Sequence, residues 1–170
     1  MGVVMGPDNT REDELRRLIA LYKNDLMRMS CACLKDSALA EDAVQETFIK
    51  AYQAMATFRG DSSEKTWLMR IAINTCRNIR RDSWFRFVDR NVMLDTLPSQ
   101  ATSNEDRALM EAVMALPYRN KEVMLLYYYQ GLTLEEISST LGVAVSTVSI
   151  RLKKARERLR RELKGGHEHV

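Results

Sequence analysis

Residues 133–161 read TLEEISSTLGVAVSTVSIRLKKARERLRR, an order that suits two helices and no strand. Thr133 followed three residues later by Glu136 is a capping box, in which each side chain satisfies the other's backbone N–H. Gly142 falls where a short helix must close through a left-handed residue. Beyond it, Val148, Leu152, Ala155 and Leu159 recur at spacings of four, three and four, one narrow apolar stripe of a second helix. Ser146 is predicted to cap that helix. Ile137 and Leu141 supply the packing of the first helix, and the small Ser138 lets the two cross closely. A short helix, a turn containing glycine and a second helix make a helix-turn-helix.

The second helix is crowded with cations. At about 100° per residue its face opposite the stripe presents Ser146, Ile150, Lys153, Lys154 and Arg161, with Thr147 and Ser149 toward the flanks. The N-terminal part of such a helix enters the major groove. Ser149, Ile150, Lys153 and Lys154 are the candidates for base edges, and Arg151, Arg156 and Arg158 for phosphates. A coiled-coil seam would be too short, and a membrane-surface helix would need bulkier apolar residues.

The remainder is also helical in pattern, and with only three Pro and seven Gly the expected fold is all-α: two small helical domains joined by a flexible linker. Thr10 with Asp13 is expected to open a helix that runs to about Leu34 through Leu15, Leu18, Ile19, Tyr22, Leu26 and Met29. Asp36 and Ser37 precede a second, about Ala38–Met55, with Ala40, Val44, Phe48, Ala51 and Met55 inward. After the polar loop TFRGDSS comes a third, about Lys65–Arg81, with Leu68, Ile71, Ala72, Thr75, Cys76 and Ile79 inward. DRNVMLDTLPSQATS, residues 89–103, has weak periodicity, a Pro and small polar residues, and reads as a linker. It divides a first domain, 1–88, from a second, 104–170. Ser103 with Asp106 is expected to cap the next helix, and YRNKEVMLLYYYQ forms another, ended by Gly131.

Charge is distributed unevenly. The net charge is +3, but residues 65–90 hold seven basic and two acidic side chains and residues 145–164 hold eight and two, leaving −8 for all other positions. Two basic helices therefore sit on an otherwise acidic chain, the pattern of a nucleic-acid footprint at two places. Cys31, Cys33 and Cys76 are an odd set without zinc spacing and read as reduced thiols of a cytosolic protein; a metal site with His167 and His169 is the weaker alternative. No cofactor is implied. No apolar run approaches the roughly 20 residues that span a bilayer, and MGVVMGPDNT lacks the pattern of a secretory signal.

AEDAVQETFIKAY followed by FRGDSSEKTWLMRIAINTCRNIRR closely resembles the promoter-melting domain of extracytoplasmic-function (ECF) sigma factors, and ALPYRNKEVMLLYYYQGLTLEEISSTLGVAVSTVSIRLKKARERLRREL resembles their second domain. The likeness covers about residues 12–164. It implies a cytoplasmic, non-enzymatic, dissociable subunit of bacterial RNA polymerase, acting on promoter DNA and controlled by an anti-sigma factor, with no segment inserted in the membrane. The second domain would bind the −35 element through Ser146, Thr147, Ser149, Ile150, Arg151, Lys153, Lys154, Arg156 and Arg158. The first would open the −10 element. There the loop Phe58, Arg59, Gly60, Asp61, Ser62 and Ser63 would pocket a flipped base, Asn74 and Asn78 would bond base edges, and Arg70, Arg77, Arg80 and Arg81 would meet phosphates. Trp67 is equally placed to wedge at the duplex fork or to pack in the core. Asp42, Gln45, Glu46 and Lys50 would face the polymerase core.

The sequence departs from the family pattern at Glu64, where an aromatic or apolar residue is usual, at Asn78, often Asp, and at Ala144, Ser146, Ser149 and Ile150 around the last turn. Two other classes compete. A dimeric helix-turn-helix repressor would bind a palindromic operator without polymerase, and a metal-dependent enzyme would need the Cys and His residues to converge.

Overall fold

The computed structural model describes residues 7–82 and 104–165, and these contain helices and no strand. The chain divides into two units, residues 1–90 and 91–170. The expected linker 89–103, together with Ser103, Trp84, Phe85, His167 and His169, lies outside the described residues.

In the first unit, helix α1 (Pro7–Leu34) is longer than expected. Thr10 lies inside it, because a Pro in the first turn loses no intrahelical bond and its fixed φ suits the start of a helix. Asp13 pairs instead with Arg16, at 3.3 Å. Helix α2 (Ser37–Ala54) begins at Asp36, an extended residue whose carboxylate accepts from the Leu39 N–H at 3.0 Å. Between them Lys35 is left-handed, φ 52°, with its N–H returned to the Cys31 carbonyl at 2.8 Å. A 3-10 turn, Met55–Thr57, ends α2, so Met55 is half-buried rather than core.

Helix α3 (Glu64–Asp82) packs against both α1 and α2. Contact on two sides widens its buried arc to Thr66, Leu68, Met69, Ala72, Ile73, Thr75 and Cys76. The expected inward residues Ile71 and Ile79 are only half-buried, the first at the edge of that arc and the second in the last turns. The core is completed by Leu18, Leu26, Met29, Leu34, Ala40, Val44, Phe48 and Ala51. All three cysteines are buried thiols outside any disulfide, and burial first, then the charges of Glu41 and Asp36, pushes the Cys31 thiol up.

The second unit contains α4 (Asn104–Met114), α5 (Tyr118–Met124), α6 (Leu134–Leu141) and α7 (Val145–Gly165). The end of α5 continues as a π turn, Leu125–Tyr129, closed by the Gln130 N–H on the Leu125 carbonyl at 3.0 Å. The capping box at Thr133 forms as expected: the Thr133 hydroxyl accepts from the Glu136 N–H at 3.2 Å, and the Glu136 carboxylate accepts from the Thr133 N–H at 2.8 Å. Gly142 is left-handed, φ 66°.

The turn after Gly142 is held by Ser138, whose hydroxyl donates to the Val143 carbonyl at 2.6 Å and whose carbonyl accepts from the Val143 N–H at 3.2 Å. This short path lets α7 start directly after Ala144, with the Val148 N–H on the Ala144 carbonyl at 3.1 Å. Ser146 is therefore inside the first turn and is not the cap. Val148, Leu152, Ala155 and Leu159 are the buried residues of α7. They meet α4, α5 and α6 around Leu116, Val123, Leu126, Ile137 and Leu141.

Candidate nucleic-acid interface

On α7 every sequence-predicted residue lies away from the core. Ser146, Ser149, Ile150, Lys153, Lys154, Arg156 and Arg158 are exposed, and Thr147 and Arg151 are half-buried at the flanks. Ile150 is 55% exposed, so its apolar surface is available to a thymine methyl group. From Ser146 to Lys154 the helix rises about 12 Å, the width of a major groove. Glu157 then interrupts the same face, so the wholly cationic or neutral segment ends within the first three turns.

The flanking arginines differ. Arg158 lies 3.7 Å from Glu162 one turn on. The Arg156 Nε donates to the Tyr128 hydroxyl at 2.6 Å, and its guanidinium lies over the rings of Tyr127 and Tyr128 at 5.7 and 5.4 Å. Tyr128 was not legible as a site residue; its placement depends on the π turn.

In the first unit, Trp67, Arg70, Asn74, Arg77, Asn78 and Arg81 fall on one arc of α3 about 100° wide, with Arg80 to its side. Asn74, Asn78 and Arg81 are exposed, and Trp67, Arg70, Arg77 and Arg80 half-buried. The Phe58 and Trp67 rings are stacked, with centroids 4.6 Å apart and planes at 25°. Trp67 is half-buried and forms half of an aromatic pair that joins the loop to the basic helix. Gly60 is left-handed, φ 74°, with open space where a side chain would begin. Arg59, Gly60 and Asp61 are exposed around it, and Ser62 is half-buried.

Ser63 ends the loop and caps α3, its hydroxyl accepting from the Thr66 N–H at 3.1 Å. This role went unread in the sequence, although a Ser just ahead of a helical pattern is the signal for it. Glu64, the departure from the family pattern, finds polar partners on α1: it accepts from Arg17 and, at 3.4 Å, from the Tyr22 hydroxyl. Burial first, then the Glu64 charge, pushes the Tyr22 phenol up. The Arg17 hydrogen bond holds the Glu14 carboxyl below its ordinary range.

On α2, Asp42, Gln45 and Glu46 are exposed and share a face with Ile49, which is 57% exposed and which the sequence did not single out. Lys50 turns aside: its ammonium lies 2.6 Å from Glu46 and donates to the Thr75 hydroxyl of α3 at 3.2 Å. Beside Ile49 an apolar groove of about 480 Å³ runs between α1 and α2, lined by Leu15, Ile19, Val44, Phe48 and Tyr52. Among the described residues no three His, Cys, Asp or Glu side chains gather as a metal site, and no helix is long and apolar enough to cross a membrane.

Two family models match the chain. The family "Sigma-70 region 2" matches residues 18–86, which contain the α2 face, the loop and the α3 arc, and "Sigma-70, region 4" matches residues 106–159. A "Probable RNA polymerase sigma factor RfaY" of Xanthomonas campestris is 31% identical over 158 residues; these are 86% of this chain but 40% of that longer relative. The "ECF RNA polymerase sigma-E factor" of Haemophilus influenzae is 31% identical over 162 residues, 86% of this chain and 85% of its own. Among solved structures, the sigma factor RpoE of Bartonella quintana, crystallised with the anti-sigma factor NepR, has the same fold, with a TM-score of 0.73, 24% identity, and 89% of this chain and 98% of that one covered. A non-enzymatic, all-helical chain that carries both sigma regions in order, at this identity and over this share of its relatives, belongs to the ECF sigma factor family.

Proposed function

We propose that this chain directs core RNA polymerase to promoters by holding two DNA elements with two different chemistries. Helix α7 lies in the major groove of the duplex −35 element, where Ser149, Ile150, Lys153 and Lys154 read bases and Arg151, Arg156 and Arg158 grip phosphates. The α3 arc and the loop 58–63 take the separated strand of the −10 element. Asn74 and Asn78 bond base edges, and the arginines hold the backbone. The acidic face of Asp42, Gln45 and Glu46, with Ile49 at its centre, meets the polymerase core, and Lys50 braces α2 against α3 behind it.

The observation that carries this reading is the stacked Phe58–Trp67 pair beside the cationic arc of α3. Duplex recognition needs no such pair, whereas unstacked bases gain about 1–3 kcal/mol each from an aromatic platform. The solved relative's complex with an anti-sigma factor supports control by such a partner, and the chain is taken to work in the cytoplasm and to leave the polymerase after initiation.

Transcription of genomic fragments by purified core enzyme, with and without the chain, tests the proposal. Promoter-selective initiation is expected only with the chain. Trp67→Ala is expected to lower the open-complex equilibrium about 5- to 150-fold while core binding in a pull-down is unchanged. Failure to bind the core refutes the assignment, and an equal loss of both activities refutes the role of Trp67.

A further inference from the structure

Tyr128 lies outside the helix-turn-helix and has no role in the proposal above, yet it is built against one of its arginines. The π turn 125–129 carries the Tyr127 and Tyr128 rings to the flank of α7, where they meet edge to face, with centroids 4.9 Å apart and planes at 80°. Tyr128 is 57% exposed, so burial does not explain its place. Arg156 donates its Nε to the Tyr128 hydroxyl and lies within cation–π distance of both rings.

A guanidinium has five N–H donors in a rigid fork. Spending the Nε donor on Tyr128 leaves the two terminal nitrogens, the pair that forms a two-point contact with a phosphate. The long side chain is also fixed before DNA arrives, so less rotamer freedom is lost on binding. π turns are frequent at functional sites, and here the turn is what delivers the hydroxyl.

We infer that Tyr128 is a positioning residue for DNA binding: it holds Arg156 with its terminal nitrogens ready for a backbone phosphate on that flank of the major groove. The inference rests on α7 being the recognition helix. It predicts that removing one neutral hydroxyl weakens an ionic contact.

The test uses the full chain and a fluorescein-labelled random-sequence 30-base-pair duplex, followed by anisotropy over a series of KCl concentrations. Phosphate contacts are sequence-independent, so the promoter need not be known. Arg156→Gln is expected to weaken binding and to flatten the slope of log K against log salt by about 0.9. Tyr128→Phe keeps the ring and removes the hydroxyl; it is expected to cost about 2- to 10-fold in affinity and to flatten the slope in the same direction, although it removes no charge. The double variant is expected to bind no more weakly than Arg156→Gln alone, within about twofold, as for residues acting as one unit.

A purely structural role for Tyr128 would lower stability and leave the slope unchanged. Arg151→Gln, at another phosphate-gripping position of α7, distinguishes the two levels of failure. If Arg151→Gln and Arg156→Gln weaken binding but Tyr128→Phe leaves affinity and slope unaltered, this inference is overturned and the recognition-helix reading stands. If the chain does not bind the duplex, or Arg151→Gln has no effect, both fall together.

Discussion

Gly142 sets the geometry between α6 and α7, and its replacement has a cost that can be worked from the backbone. Its φ of 66° lies in the left-handed region, and a Cβ built there meets no atom within 4 Å. A side chain would therefore suffer no clash with neighbours, and the cost is conformational alone. The left-handed penalty for an L-residue is about 1–2 kcal/mol. Against it, Ala restricts the unfolded chain more than Gly does, which offsets about 0.4–1 kcal/mol. The net expectation for Gly142→Ala, from the midpoints of the two ranges, is a loss of about 0.8 kcal/mol. Gly142→Asn is expected to lose less, because Asn tolerates this region.

Urea unfolding followed by circular dichroism reports on the whole chain. Tryptophan fluorescence gives an internal control, since Trp67 and Trp84 both precede residue 91. The tryptophan transition should stay in place while the second unit's transition moves to lower urea. A loss above about 3 kcal/mol would mean a steric conflict that the open space at Gly142 does not contain. Equal stability of all three proteins would mean that the turn does not require a left-handed residue, and the account of how α7 is aimed would be wrong.

The mirror-image substitution applies at Lys35, the described non-glycine residue with positive φ. Lys35→Gly is expected to stabilise the first unit by about 0.5–1 kcal/mol, read as a tryptophan-monitored urea midpoint shifted upward; a downward shift would refute the strain. Tyr22 gives a pH prediction. Its phenol is pushed above its ordinary value by burial and by Glu64, so the folded state favours the neutral form. That contribution is fully present below the unfolded tyrosine pKa of about 10 and is lost as pH rises through the folded value. Absorbance titration near 295 nm should show a late-ionising component that is lost in Tyr22→Phe. In Glu64→Gln it should move back toward 10, and an unchanged curve in that variant would refute the coupling.

The α7 stripe was legible because one period, one cap signal and one left-handed glycine all point to the same helix pair. Its buried residues could be read without knowing what they pack against. Residues whose placement depends on a second element could not be read in this way. Ile71 and Ile79 of α3 fit a one-sided helix, but contact with both α1 and α2 makes Met69 and Ile73 core instead. Lys50 looks like part of an exposed face until Thr75 comes within reach. Glu64 looks like a lapse until Arg17 and Tyr22 stand opposite it. Ser146 has the chemistry of a cap, but Ser138 shortens the turn and places it two residues past the cap position at Ala144.

These misreadings share a cause with the placement of Tyr128. Periodicity reports which side of a helix leaves water, and it assumes a uniform helix. The π turn inserts one extra residue into a turn, and every side chain after it is rotated relative to that assumption. YYY in sequence therefore has no assigned direction. Only the burial of Leu125 and Leu126, followed by the return of the Leu132 N–H to the Leu126 carbonyl at 3.0 Å, sets Tyr127 half-buried and Tyr128 outward, against Arg156. Which residues could carry charge to DNA was thus written in the sequence of α7. Which of them is held ready before DNA arrives was decided by a neighbouring helix whose last turn breaks the period.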